Sequence, residues 1–93
     1  MNIHIDNPFA GTWSAGNVSV VIDKIAWTAK YCDSVYNSGT YSFEENIAKL
    51  KVTNRGIGRA DVGENGFALI SNNKMVVSGL IDTNMNGSYT KSK

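Results

Sequence analysis

Ile47-Ala48-Lys49-Leu50-Lys51-Val52-Thr53 decides the fold class. Ala48, Leu50 and Val52 fall on one side of an extended chain, and Lys49 and Lys51 on the other. Successive side chains of a β-strand point to opposite faces, so this alternation marks a strand with one face in a core and one in water. No segment of the chain sustains a 3.6-residue apolar period, so the rest is read with the same ruler.

Working outward, short period-two runs recur between clusters of Asn, Gly, Ser and Asp, and predict eight strands at residues 12–14, 18–23, 25–32, 39–43, 47–53, 66–71, 74–79 and 87–91. Val18, Val20 and Ile22 share a face of the second. The third has apolar residues on both faces, which leaves its inward face open. Turns are expected at Asp23-Lys24, at Asp33-Ser34 and Asn37-Ser38, and at Glu44-Glu45-Asn46. Asn72-Asn73 links the sixth and seventh strands, because asparagine tolerates positive φ in a tight hairpin. Asn65-Gly66 and Asn86-Gly87 are further turn signals. A helix over residues 43–50 competes, since Glu44, Glu45, Ala48 and Lys49 are good helix formers. The segment is short and uncapped, and strand is the better reading.

Eight tightly linked strands without crossover helices make an antiparallel up-and-down meander, and closing it into a barrel removes both exposed edges. The echo Gly11-Thr12-Trp13, Gly39-Thr40-Tyr41 and Gly87-Ser88-Tyr89 supports closure, since glycine lets a strand bend at a barrel corner and the aromatic fills the space beside it. An open sandwich is the alternative. Candidate inward residues include Trp13, Val20, Ile22, Trp27, Tyr41, Phe43, Leu50, Val52, Ile70 and Met75.

The 93 residues make one domain, 1–93. Apolar residues are 42% and charged residues 18%, which excludes a coiled coil and a charged disordered chain. A net charge of +1 gives no electrostatic case for nucleic acid or an anionic membrane. No apolar run is long enough to span a bilayer. Residues 1–6 lack a basic patch followed by an apolar core and do not read as a signal peptide. The chain is therefore cytosolic or the mature part of an exported protein. Cys32 is the only cysteine and is read as a half-buried strand residue. Alone it forms neither an intramolecular disulfide nor a zinc site.

The opening Pro8-Phe9-Ala10-Gly11-Thr12-Trp13 resembles the Gly-x-Trp start of lipocalins and other calycins. With the Gly39-Thr40-Tyr41 strand, the hairpin from Gly66 to Gly79 and the ending Gly87-Ser88-Tyr89-Thr90-Lys91, the chain is similar to small bacterial lipocalin-like domains, many of them lipoproteins. The resemblance runs from Pro8 to Lys91. It implies an eight-stranded barrel whose tryptophan plugs one end beneath a basic residue of the last strand, for which Lys91 is the candidate. It also points to the cell envelope or secretion, and weakly to a ligand. The chain lacks the length, the trailing helix and the second Thr-Asp-Tyr motif of true lipocalins.

Two places are candidate sites in a monomeric binding module. The first is the barrel interior, either filled by side chains or holding a small apolar ligand against Trp27, Tyr31, Tyr41 and Phe43. The second is the glycine-containing segment 54–65, which is long for a hairpin link. It is either a structural loop or a contact for a protein partner such as a protease, with Ile57 as an apolar tip flanked by Arg55 and Arg59. Catalysis is not expected. The carboxylates all fall in turns or loops, His4 has no evident partner, and no Ser-His-Asp or metal-ligand spacing is present. No cofactor is implied.

Overall fold

The computed structural model describes residues 7–57, 61–80 and 85–92. Eight strands follow one another: β1 (Gly11–Ala15), β2 (Val18–Ile22), β3 (Ala26–Tyr31), β4 (Ser34–Glu44), β5 (Ile47–Arg55), β6 (Asn65–Ser71), β7 (Lys74–Ser78) and β8 (Gly87–Lys91). Each pairs antiparallel with the next, and β8 returns to β1, so the sheet is a closed up-and-down barrel. The closing seam is short: Trp13 opposes Lys91 and Ser14 opposes Thr90. Beyond it the Ser92 amide donates to the Thr12 carbonyl at 2.7 Å.

Two elements differ from the sequence reading. β4 begins at Ser34 and not at Gly39, so Asn37 and Ser38 lie inside a strand. Their polar character reads as a turn, but the register slips on both sides of this stretch, between Ala29 and Lys30 and between Ser38 and Gly39. Such bulges let a strand hold residues that break the pleat. β3 ends at Tyr31, one residue early. Cys32 is accordingly not a half-buried strand residue. It is exposed, with φ +55°, in the turn to β4. The helical alternative over residues 43–50 is also set aside, because Glu45 takes φ +57° in the turn between β4 and β5.

The alternation works as read on β5, where Ala48, Leu50 and Val52 are buried. On β3 the inward set is Trp27 and Ala29, while Tyr31 at its end and Ile25 just before its start are exposed. Gly39 is required by the closeness of packing: a Cβ there would fall on the Lys51 carbonyl and against the Trp27 ring.

Candidate functional site

The barrel interior is occupied by its own side chains. Trp13, Trp27, Tyr89, Leu50, Met75 and Val52 are among the largest fully buried groups. An eight-stranded barrel has a lumen just wide enough to be filled in this way.

One end is sealed by the segment that leads into β1. Phe9 is buried, its ring centroid 5.7 Å from Phe43 and 6.5 Å from Tyr41. The Trp13 indole N–H donates to the Phe9 carbonyl at 2.9 Å. The Asn7 amide donates to the Tyr41 hydroxyl at 2.6 Å, and that hydroxyl donates to the Asp23 carbonyl. Lys91 Nζ lies over the Trp13 ring, 5.5 Å from its centroid. Asp23 closes the neighbouring turn by accepting from the Ile25 and Ala26 amides at 2.9 and 2.7 Å. Those two donors hold its carboxyl below the usual 3.8.

The opposite end is covered differently. Leu80 and Met85 are buried there, and the Asn86 side chain clamps both backbone groups of Leu80. Tyr89 Oη donates to the Met85 carbonyl at 2.7 Å. Asn37 is fully buried; its Nδ2 donates to Met85 Sδ at 3.2 Å, while its Oδ1 has no partner among the described residues. Tyr31 and Tyr36 stand beside each other, with ring centroids 6.4 Å apart.

The sequence-predicted wall residues are therefore not gathered in one place. Tyr41 and Phe43 meet at the sealed end around Phe9, Trp27 is deep in the wall with its indole N–H on the Thr40 carbonyl, and Tyr31 is at the other end. Of the predicted partner loop, Gly56 and Ile57 continue to pair with β4 through the Tyr36 and Val35 carbonyls. Ile57 is 60% exposed. Arg55 reaches Asp61 at 3.7 Å, both side chains well exposed, so the pair contributes little. Arg59 lies outside the described residues, as do His4 and Asp82.

Sequence reasoning missed the outer face of β5, β6 and β7. Ile47 pairs with Leu69 and Leu69 with Val76, which sets three apolar side chains in a row across the strands. Phe67 stands one pleat above Leu69 on the same face, opposite Lys49. Their exposures are 51% for Ile47, 50% for Phe67, 45% for Leu69 and 44% for Val76. A shallow depression runs among them, reaching Ala68 and Ser78. The signal was present in the sequence: residues 67–70 and 75–77 are unbroken apolar runs, whereas a strand with one solvated face alternates. No family model, curated protein or solved structure matches this chain. Among the described residues no group of three His, Cys, Asp or Glu is placed to hold a metal, and no helix is long and apolar enough to cross a membrane.

Proposed function

We propose that this protein is a non-enzymatic binding module that works through the outside of its barrel. The contact surface is the β5–β7 face. One observation carries the reading: the inward side chains are buried against one another in one cluster, while four large apolar side chains stand half-exposed together on the outer face. Burying them in the core would stabilise the fold, and leaving them in water does not. Contiguous apolar patches on a small monomer mark contact sites. Scattered single apolar residues need no such account, but these four are cross-strand and same-face neighbours.

A second reading is a small ligand within the barrel, as the lipocalin resemblance implies. Asn37 Oδ1, which has no partner among the described residues, favours it, because a buried carbonyl oxygen without a donor costs about 1–3 kcal/mol. Native mass spectrometry of protein purified gently from its own host separates the two. The outer-face reading predicts a chain free of small-molecule adducts, and larger complexes that disappear in Leu69→Glu. A reproducible adduct that is lost on denaturation and retained in Leu69→Glu would move the site to the lumen.

A further inference from the structure

The registers turn the outer face into a map. The apolar row of Ile47, Leu69 and Val76 ends at Glu44 on the β4 side and at Ser88 on the β8 side. One pleat above it lie Ser42, Lys49, Phe67 and Ser78, with Lys51 a further pleat up on β5. One pleat below it Lys74 stands opposite Ser71 and Thr90. Lysines thus flank the row on both sides, Lys49 and Lys51 toward β5 and Lys74 toward β7. Glu44 is the one acid on this face among the described residues, and it sits at the end of the row, with Glu45 in the adjoining turn.

Resting on the outer-face reading, we infer that the β5–β7 face receives an acidic amphipathic helix of a protein partner, laid along the row and across the strands. Three features select this occupant. The barrel is closed, so a partner strand has no free edge to join. Adjacent strands are about 4.8 Å apart, so Ile47 to Val76 spans roughly 10 Å. That matches about 10.5 Å between helix positions i and i+7, with i+3 or i+4 falling on Leu69. The lysines on either side then face the helix flanks, where carboxylates would meet them.

A second copy of the chain fits poorly. Face-to-face pairing sets lysine against lysine.

The test is a titration of the isotope-labelled protein with helical peptides of about 18 residues, ~27 Å long. All carry the same leucine stripe, flanked by Glu in one, Gln in a second and Lys in a third. The inference predicts that the Glu peptide shifts the amides of Leu69 and Val76 and leaves those of Ser19 and Thr28 unmoved. Its affinity should fall at least tenfold in the Gln peptide, in added salt, and in the Lys49→Gln, Lys74→Gln double variant, whose spectrum should otherwise be unchanged. Equal binding of all three peptides at this face would overturn the acidic helix and leave the outer-face reading standing. Silence of this face to every peptide, with binding to vesicles of phosphatidylglycerol or a Leu69-dependent dimer in sedimentation, would overturn the helix in favour of those occupants. Silence in all of these would overturn both the helix and the outer-face reading.

Discussion

Two outer faces of this barrel are built on the same pleat and differ in what they show to solvent. On β1 to β3 the register sets Thr12 against Val21 and Val21 against Thr28, with Ser14, Ser19 and Lys30 in the next row. On β5 to β7 the equivalent rows hold Ile47, Leu69 and Val76, with Phe67 beside them. Threonine favours the extended chain about as well as valine does. The hydroxyl-bearing face therefore shows that a solvated strand of this barrel can be made without half-exposed leucine or phenylalanine. The apolar character of the second face is not a requirement of the fold, and that difference is the main ground for placing the contact there.

The contrast can be broken most sharply with one residue type on neighbouring strands. Leu50 points into the core from β5, and Leu69 points outward from β6. Urea denaturation should show Leu50→Ala losing about 2–5 kcal/mol, and Leu69→Ala changing by no more than about 0.5 kcal/mol. A comparable loss from both would mean that the outer face supports the fold and needs no partner.

Rebuilding one face as the other sharpens the comparison. Ile47→Thr, Leu69→Thr and Val76→Thr together should leave stability within about 1 kcal/mol of the parent. The same variant should lose fluorescence enhancement of an apolar dye, whereas Thr28→Ala should leave it unchanged.

The fold was legible because the clearest strand, residues 47–53, alternates cleanly and because tight turns mark most of the other boundaries. Residues Ala48, Leu50 and Val52 needed nothing beyond spacing. The start of β4 was hidden, since Asn37 and Ser38 are turn formers placed in a strand by bulges on both sides. Phe9 was hidden for another reason: it lies outside any strand and is buried only because the closed barrel has an end to plug. The outer face was hidden because period-two reasoning assigns one side of each strand to water. It does not ask why residues 67–70 are apolar on both.

The seam where the two faces meet offers a smaller test. Lys91 on β8 covers the Trp13 ring, and Lys91→Gln should cost about 0.5–1 kcal/mol, with Lys74→Gln costing less. Denaturant midpoints of the two variants measure it.

The smallest effect belongs to Asp23, in the turn beside the hydroxyl-bearing face. Its folded-state pKa lies below 3.8 because two backbone amides donate to the carboxylate. A depressed folded value stabilises the protein above the unfolded pKa, and that gain is lost as pH falls through the folded value. Asp23→Ala should therefore melt slightly lower than the parent at neutral pH, and the gap should close in acid below 3.8. Thermal melts across that range check the sign.

The central claim is that partners meet the β5–β7 face, and position-specific photo-crosslinking in the protein's own host tests it most directly. A photoreactive residue at Ser78, beside Phe67, is compared with one at Ser19 on the hydroxyl-bearing face. A discrete protein crosslink from Ser78, absent from Ser19 and abolished by Leu69→Glu, is the predicted result. Crosslinks from Ser19 alone, or Ser78 crosslinks indifferent to Leu69→Glu, would contradict it.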